Sequence, residues 1–283
     1  LILLKVIMQH LHFCGGLPRT GSTVLMNILQ QNQDIFTTST DPLPGILQNQ
    51  LLTKARFTEM FQAMSCKQAD DAMHGMVLGA TKGWYEGLSS KPIVISKGRD
   101  WSNLTHIFPK SKIIVTVRDL RDIIESFDRV NAKIKALHTF GDDNTLYGSM
   151  TEDEKYHYHF KEQNAFSSVL TSEIPKYLTM FKQDSKRIRF VRYEDLLQDP
   201  VSMLNQIYKF LELNTYKHDL NNIAQSAVFE HDNAYFREKT DHKTKPQMIK
   251  WSEPKRILSK DFHTKVIDTN KWFYQAFYPE VLS

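Results

Sequence analysis

The sequence predicts an α/β fold with a central, mostly parallel β-sheet flanked by helices. Short runs rich in Val and Ile, nearly continuous in apolar character, alternate along the chain with longer stretches of helical periodicity. Continuous apolar runs are typical of strands that are buried on both faces, and alternation with helices favours parallel neighbours. The four predicted strands are "HLHFC" (10–14), "KPIVISK" (91–97), "KIIVTVR" (112–118) and "RIRFVRY" (187–193).

The helices that follow these strands are predicted from apolar spacing and from capping residues. The first covers about 22–31, and a second follows the third strand. After the fourth strand, Asp199 is a good N-cap and Pro200 a good first helical residue. Thr151 and Glu154 have the spacing of a capping box. The predicted apolar faces contain Val24, Leu25, Ile28, Leu29, Ile123, Ile124, Phe127, Ile134, Leu137, Leu204, Ile207, Tyr208 and Leu211.

Two further helical segments and a late loop complete the predicted organisation, a single domain over residues 1–283. The segments at about 42–90 and 131–185 connect the sheet elements and are suited to form a lid or a binding layer. The stretch at about 230–250 is polar and basic, with almost no apolar periodicity, and therefore reads as a long loop. Long loops in compact domains are more often functional than accidental.

Composition favours a globular protein that binds a small anion. The chain of 283 residues is 41% hydrophobic, enough for a large core, and its net charge is +4. No concentrated block of Lys and Arg is present, which argues against a nucleic-acid-binding face.

The cysteine content and the hydropathy of the chain indicate the cellular compartment in which we expect the protein. Cys14 and Cys66 are the two cysteines, too few for a disulfide framework and without metal-ligand spacing. Cys14 lies in an apolar run, where a buried free thiol is expected. No apolar stretch approaches the roughly 18 residues that span a bilayer, and the first residues lack the features of a signal peptide. We therefore expect a reduced, cytoplasmic location, although a targeting segment ahead of Leu1 stays possible. The oligomeric state is not predicted.

The turn after the first strand is typical of a phosphate-binding loop. In "GLPRTGST", four residues separate Gly16 from Gly21, and a helix follows. Glycines let the backbone turn its N–H groups inward, and the helix N-terminus adds a positive dipole end. This is the loop of P-loop-containing nucleotide-binding folds, except that Ser22 stands where ATPases have a lysine. Further donors come from Arg19, Thr20, Ser22 and Thr23. The alternative is an ordinary strand–turn–helix corner.

A second candidate anion site follows the third strand. Arg118 ends "KIIVTVR", and Ser126 lies eight residues later on the following helix. An Arg at the carboxyl edge of a parallel strand lies in the usual ligand crevice, and a side chain two helical turns on can face the same way. The pair suits a second phosphate group. Alternatively, Arg118 pairs with Asp119 or Asp122 and Ser126 faces solvent.

Together these two motifs resemble the sulfotransferase family that uses 3′-phosphoadenosine 5′-phosphosulfate (PAPS). "PRTGST" is similar to the family's loop for the 5′-phosphosulfate, and "VRDLRDIIES" to its 3′-phosphate element. "VRYEDLLQDPVSMLNQIYKFLEL" looks like the next family motif. Near the end, "TDHKTKPQMIKW" resembles a loop of the tyrosylprotein branch. The four motifs occur in the family's order, over roughly residues 10–45, 90–130, 187–213 and 237–252.

The resemblance implies PAPS as the donor, 3′-phosphoadenosine 5′-phosphate (PAP) as the product and no metal ion. Arg19 takes the place of the missing lysine because it can reach the bridge between phosphate and sulfate. Tyr193 matches a family tyrosine near the adenine or 3′-phosphate, unless it is a core tyrosine at a strand end. The late loop shows a shorter gap than the family's, so Lys243 or Lys245 could substitute there. The implied nucleotide residues are Arg19, Thr20, Gly21, Ser22, Thr23, Arg118, Ser126, Tyr193, Thr240 and Lys250.

For catalysis, the family likeness points to Arg19 and Lys97 on the leaving-group side. Lys97 ends the strand "PIVISK" and should emerge at the same sheet edge as the loop. In the tyrosylprotein branch, a lysine after this strand is catalytic. Arg99 is a near competitor, and the alternative for Lys97 is a surface lysine at a strand end.

The general base is predicted to be Asp41. In the tyrosylprotein branch the base is a Glu after the first helix, but Ser39 and Thr40 fall on those positions here, and Asp41 is the adjacent carboxylate. Its alternative role is to form a turn before Pro42. The cytosolic branch uses a His after the second strand; "VISKGRDW" has none, although His106 lies further on.

The acceptor is predicted only as a hydroxyl or amine on a small molecule, carbohydrate, lipid or peptide. One alternative is a P-loop kinase or hydrolase, in which Asp119 and Thr23 would bind Mg²⁺. A second alternative is a PAP-binding protein without catalytic activity, since the family's Glu is absent.

Overall fold

A parallel five-stranded sheet forms the centre of the protein. The structure is a computed structural model that describes residues 10–53, 59, 63–131, 149–162, 164–224, 246–248 and 250–283. The strands are β1 (Leu11–Gly16), β2 (Ile35–Thr37), β3 (Ile93–Lys97), β4 (Ile113–Val117) and β5 (Ile188–Arg192). They are ordered β2-β3-β1-β4-β5, and each neighbouring pair is parallel. The predicted α/β class and the four predicted strands are confirmed.

The edge strand β2 was not predicted. It contains only three residues, "IFT", and pairs with β3 from Ile35↔Ile93 onward. Three residues are too few to display a hydrophobic period, so this strand depends on the neighbour that β3 offers.

The register aligns the carboxyl ends of the strands. Cys14 pairs with Lys97 on one side of β1, and Gly16 pairs with Thr116 on the other. Val117 pairs with Arg192 at the end of β5. Because the strands are parallel, the segments that leave β1, β3, β4 and β5 emerge at one edge, where ligands of such sheets bind.

Helices cover both faces of this sheet. They are α1 (Ser22–Leu29), α2 (Leu43–Thr53), α3 (Cys66–Leu88), α4 (Trp101–Leu104), α5 (Leu120–Asn131), α6 (Glu152–Phe160), α7 (Ala165–Ser168), α8 (Ile174–Gln183), α9 (Tyr193–Gln198), α10 (Pro200–Leu211), α11 (Lys260–Thr269) and α12 (Lys271–Phe277). A π-helical turn, Val169–Glu173, joins α7 to α8, and a 3₁₀ turn, Pro279–Val281, follows α12.

The capping predictions are confirmed. Asp199 accepts a hydrogen bond from the Ser202 N–H at 3.0 Å, and Pro200 opens α10. Both bonds of the capping box at the start of α6 are present. Helix α5 begins where expected, whereas the predicted apolar residues Ile134 and Leu137 lie outside the described residues.

Alternate residues along the strands divide the core into two clusters, one on each face of the sheet. One face contains Phe13 and Val115 and packs against α4 and α8. The other contains Cys14 and Ile114 and packs against α1 and α10, including Ile207. The phosphate loop therefore leaves β1 between two packed layers, which fixes where it can turn.

Cys14 is buried as a free thiol, as its apolar surroundings predict. Burial raises the pKa of its thiol to about 12, so this cysteine is inert near neutral pH. The cytoplasmic location stays a prediction. Within the described part of the chain, none of the helices combines the length and apolar character needed to cross a bilayer. Of the late loop, Thr240, Lys243 and Lys245 lie outside the described residues.

Replacing Gly16 with Ala should strongly destabilise the protein. The φ angle of Gly16 is +122°, and an added Cβ would lie 2.2 Å from the Thr116 carbonyl oxygen in the adjacent strand. Both the conformation and the contact exclude a side chain, so we expect a loss of more than about 2 kcal/mol in the free energy of unfolding. Urea unfolding of Gly16→Ala measures this loss.

Gly79→Ala is the matched control. Gly79 lies within α3, and a Cβ there meets nothing within 4 Å. Because Ala favours a helix over Gly, this variant should be unchanged or stabilised by up to about 1 kcal/mol. Equal stability of the two variants would contradict the proposed strain at Gly16.

Candidate functional site

The loop between β1 and α1 curls tightly at the carboxyl edge of the sheet. Gly16, Arg19 and Gly21 all have positive φ angles, of 122°, 63° and 77°. Gly21 is the N-cap of α1 and contributes no capping side chain. The first N–H groups of a helix have no partner within the helix, so those of Ser22 and Thr23 are suited to bind an anion. The backbone geometry is that of a phosphate loop.

The hydroxyl of Thr20 braces this loop from inside. It donates to the Leu17 carbonyl at 2.7 Å and lies 2.6 Å from the Thr116 hydroxyl on β4. Thr20 is only 1% exposed. Its side chain therefore fixes the loop against the sheet, and what it can offer a ligand is its backbone N–H.

Lys97 lies against the start of α1. Its Nζ donates to Thr23 Oγ1 at 2.7 Å, and its backbone N–H donates to the Thr38 hydroxyl. Burial, together with the charge of Arg19, lowers the pKa of Lys97 against the opposing effect of Cys14. The end of β3 thus supplies a partly buried amine to the phosphate loop. Arg99, its competitor in the sequence, is exposed.

Arg19, Arg118 and Ser126 meet beside the loop. Arg19 Nε donates to Ser126 Oγ at 3.2 Å, and Arg118 Nη1 donates to the Arg19 carbonyl oxygen at 3.1 Å. Ser126 is 9% exposed rather than solvent-facing. The Nε of Arg118 is buried, and among the described residues it has no hydrogen-bond partner. The structure brings together the two side chains that the sequence predicted as a second anion site.

Tyr193 forms one wall of this cluster. The guanidinium of Arg118 lies over its ring, 4.3 Å from the centroid. The ring would be 2.6 Å from a Cβ on Gly21, so glycine is required at the turn partly because Tyr193 occupies that space. Tyr193 therefore fixes the plane of Arg118 and the position of the loop together.

The neighbouring carboxylates are held by other cations. Asp119 pairs with Arg121 at 2.5 Å and accepts from the Tyr274 hydroxyl at 3.0 Å. Asp122 pairs with Arg256 at 2.6 Å. Burial alone would raise the pKa of Asp119, but the hydrogen bonds and charge of Arg121 outweigh it and lower that pKa. Burial and the charge of Asp119 raise the pKa of Asp122.

An anchor from the C-terminal part of the chain was missed in the sequence. Glu125 is fully buried, and its Oε1 accepts from the backbone N–H groups of Ile257 and Leu258 at 2.9 and 3.0 Å. His263 Nε2 lies 3.1 Å from the same oxygen. These contacts tie α5, which carries Ser126, to a segment more than 130 residues later. No local pattern indicates them.

Asp41, the predicted base, is also buried and has three donors. Its Oδ1 accepts from the Leu43 N–H at 3.0 Å, which is the turn-forming role that the sequence left open. Its Oδ2 accepts from the Tyr85 hydroxyl at 2.8 Å and the Ser96 hydroxyl at 2.6 Å. These bonds hold α2 and α3 against the end of β3. The assignment of Asp41 as base stays a prediction.

Two other residues considered in the sequence lie at the surface. His106 is exposed, and its ring centroid is 6.0 Å from that of His74. Lys250 is exposed beside the undescribed part of the late loop. Neither is brought to the phosphate loop by a contact that the described residues make.

Comparison with known proteins identifies the family. The model described as "Sulfotransferase domain" matches residues 13–280 of the chain. A comparison with curated proteins found no match.

Solved structures that resemble the chain are sulfotransferases of low sequence identity. The sulfotransferase domain from the curacin biosynthetic pathway is 16% identical, with a TM-score of 0.51 over 92% of this chain and 96% of that one. The corresponding domain of a Synechococcus olefin synthase is 18% identical, with a TM-score of 0.49 over 92% and 93%. A mouse sulfotransferase complexed with PAP is 16% identical, with a TM-score of 0.46 over 83% and 79%.

The Asp119→Asn variant should lose stability in a pH-dependent way. Because Arg121 holds the pKa of Asp119 below its usual value, the ion pair stabilises fully above the unfolded carboxyl pKa of about 4. That stabilisation is lost as pH falls through the lower folded value. We expect a deficit of roughly 2 kcal/mol at pH 7 that shrinks below about pH 4, measured by urea unfolding.

Asp153→Asn is the control for this experiment. Asp153 pairs with Lys265 at 2.8 Å, but both side chains are exposed, so its removal should change stability little at any pH. A deficit in Asp119→Asn that is constant from pH 7 to pH 3 would contradict a stabilising ion pair.

Proposed function

The chain belongs to the sulfotransferase family and is a PAPS-dependent sulfotransferase, and we propose how its edge site performs the transfer. The proposal treats the chain as one domain whose segments 42–90 and 131–185 lie on the acceptor side. The observation that carries it is the guanidinium of Arg118, whose Nε is buried and has no hydrogen-bond partner among the described residues. Its Nη1 donates to Arg19, which in turn donates to Ser126, and the nearby carboxylates are held by Arg121 and Arg256.

The nucleotide is proposed to bind through its two separate phosphate groups. The 5′-phosphosulfate contacts the loop from Arg19 to Thr23, where backbone N–H groups and the helix dipole favour an anion. The 3′-phosphate accepts hydrogen bonds from the unpartnered Nε–H of Arg118 and from the hydroxyl of Ser126. Tyr193, stacked on Arg118, borders the same end of the nucleotide. Thr240 and Lys250 of the late loop complete this part of the proposal.

Transfer is proposed to occur in line. The acceptor oxygen forms a bond to sulfur while the bond from sulfur to the bridging phosphate oxygen breaks, and the electron pair stays on the phosphate of PAP. Arg19 and Lys97 stabilise the charge that develops there. Lys97 is suited to this because its Nζ donates to the Thr23 hydroxyl and so lies close to the loop. No metal ion takes part in the proposed step.

The other half of the proposal concerns the acceptor and the base that takes its proton. A hydroxyl or amine of a small molecule, carbohydrate, lipid or peptide fits the chemistry equally well. Asp41, the carboxylate next to the positions of the family's Glu, is one candidate for this base, and Leu43, Tyr85 and Ser96 donate to its carboxylate.

PAP should stabilise the protein against heat, and ATP with Mg²⁺ should not. At a concentration of 100 Kd, a ligand that binds only the folded state adds about 2.7 kcal/mol. For a chain of this size we expect a rise in Tm on the order of 5 °C. Arg118→Ala and Ser126→Ala should each weaken PAP binding, the first by about tenfold or more because a bond to a charged group is lost.

Arg189→Ala is the matched control. Arg189 lies near the start of β5, away from the carboxyl edge, and contacts Gln206. It should keep the full PAP shift. A larger shift with ATP and Mg²⁺ than with PAP would instead favour the kinase or hydrolase alternative, with Asp119 and Thr23 as metal ligands.

Removing the amine of Lys97 should affect the rate more than nucleotide binding. Lys97→Met removes stabilisation of charge that develops in the transition state, so we expect kcat to fall by about 10²–10³-fold. The Kd for PAP should change much less. Single-turnover transfer from PAPS and PAP titration separate the two effects.

Lys186→Met provides the comparison for Lys97→Met. Lys186 is exposed in the turn before β5, so its loss should leave both quantities unchanged. Loss of PAP affinity in Lys97→Met without loss of kcat would assign Lys97 to binding rather than to the chemical step.

A further inference from the structure

Glu173 is a buried carboxylate that the functions described so far do not use. It ends the π-helical turn between α7 and α8 and is 5% exposed. Turns of this kind insert an extra residue into a helix and are frequent at functional sites. Here the turn lies in the segment predicted to form the acceptor side.

The partners of Glu173 lie on the loop that follows Lys97. The backbone N–H of Asp100 faces its carboxylate and lowers its pKa. Asp100 has a φ angle of +70° and is the N-cap of α4, three residues after Lys97. The carboxylate therefore lies against the backbone of the segment that brings the Lys97 amine to the phosphate loop.

The second partner of Glu173 is Tyr177, which lies against β1, the strand that leads into the phosphate loop. The Tyr177 hydroxyl donates to Glu173 Oε2 at 3.3 Å and accepts from the Ser102 N–H. The same hydroxyl would lie 2.6 Å from a Cβ on Gly15, near the end of β1. Glu173 and Tyr177 thus connect the end of β1 with the loop after β3, on the face opposite α1.

The surroundings of Glu173 raise the pKa of its carboxyl. Burial is the main cause that raises its pKa, to about 7. Asp100 raises it further, whereas the Asp100 N–H, the Tyr177 hydroxyl and the charge of Arg99 lower it. No Lys or Arg of the described residues lies within ion-pair distance of its carboxylate. Burying a carboxylate without a cation beside it costs free energy, and such groups cluster at functional sites.

Glu173 and Asp41 differ in what they can still accept. Both lie against the segment after β3, since the Asp41 N–H donates to the Lys97 carbonyl. Asp41 accepts from three donors spread over both oxygens, whereas Glu173 accepts from the Tyr177 hydroxyl and is faced by the Asp100 N–H. A carboxylate has about four acceptor positions. Glu173 therefore keeps capacity for a further hydroxyl.

We propose that Glu173 is the general base of the transfer, an inference that rests on the proposed function. Its carboxylate accepts the proton of the acceptor hydroxyl as that oxygen bonds to sulfur. The bond from sulfur to the 5′-phosphate oxygen breaks, and PAP leaves with the electron pair. The segment 97–100 therefore positions both groups. Lys97 stabilises the leaving phosphate, and Glu173, which lies against Asp100, accepts the proton of the acceptor.

The decisive experiment compares pH profiles of Glu173→Gln and the wild type. PAP release from PAPS is measured between pH 5 and 9 with phenol, glucose, decanol, a tyrosine peptide and water as acceptors, whose hydroxyls do not ionise near pH 7. The wild type should lose kcat/KM toward acid with a midpoint of about 7. Glu173→Gln should be slower by about 10²–10⁴-fold and lack that acid limb. Its PAP-induced rise in Tm should equal that of the wild type.

Two variants at neighbouring positions sharpen the test. Asp41→Asn tests the other candidate base: it should keep the acid limb, and loss of the limb in this variant alone would assign the base to Asp41 and overturn the inference. Arg99→Gln should move the midpoint to higher pH, since the charge of Arg99 lowers the pKa of Glu173. If Glu173→Gln keeps the wild-type acid limb, or only loses stability, the inference is overturned and Glu173 is a structural cap of α4. Absence of PAP binding and release in the wild type would overturn the proposed function itself.

A second measurement needs no acceptor. The carboxyl carbon of Glu173 is followed by NMR in ¹³C-glutamate-labelled protein and assigned by its absence in Glu173→Gln. Adding PAP should move its titration midpoint to higher pH, because a nearby anion disfavours the carboxylate. An unchanged midpoint in PAP-saturated protein would mean that the carboxylate is too far from the nucleotide, and it would overturn the proposal.

Discussion

The close approach of β1 to β4 at Gly16 is the constraint on which the site depends. A Cβ there would collide with the Thr116 backbone, so only glycine lets the chain leave the sheet at this point. The hydroxyls of Thr20 and Thr116 then hold the returning loop against β4. This turn directs the start of α1, and with it the first helical N–H groups, toward the crevice where β3 and β4 also end. Every other part of the candidate site is positioned relative to that turn.

At the same edge of the sheet, the acidic side chains are paired with cations other than Arg118. Three acidic residues follow Arg118, with Asp119 just before α5 and Asp122 and Glu125 within it, and they would neutralise a cationic site if they faced it. They are instead held by Arg121, Arg256 and His263, contributed by the helix itself and by the C-terminal part of the chain. Among the described residues, the buried Nε of Arg118 has no hydrogen-bond partner, and its Nη1 donates to Arg19, which in turn donates to Ser126. An anion is the ligand that compensates such a cluster, and so the C-terminal anchor contributes to binding without touching a ligand.

Two buried carboxylates lie against the segment after β3, and their surroundings differ. Asp41 accepts from donors on α3, on β3 and in its own turn, an arrangement that joins these elements together. Glu173 accepts from the Tyr177 hydroxyl and has no cation within ion-pair distance among the described residues, and burial raises the pKa of its carboxyl.

The sequence by itself determined the elements whose information is local. The phosphate loop, Arg118 with Ser126, and the caps at Asp199 and Thr151 lie within windows of about ten residues, where glycine geometry, strand ends and helical spacing decide the outcome. The tertiary structure alone decided the three-residue strand β2, which exists through its pairing with β3. It also decided the contacts of Glu125 with Ile257, and of Glu173 with Asp100. Those partners are separated by 132 and 73 residues, so no periodicity links them. Their proximity follows from packing around the sheet, which sequence spacing does not encode.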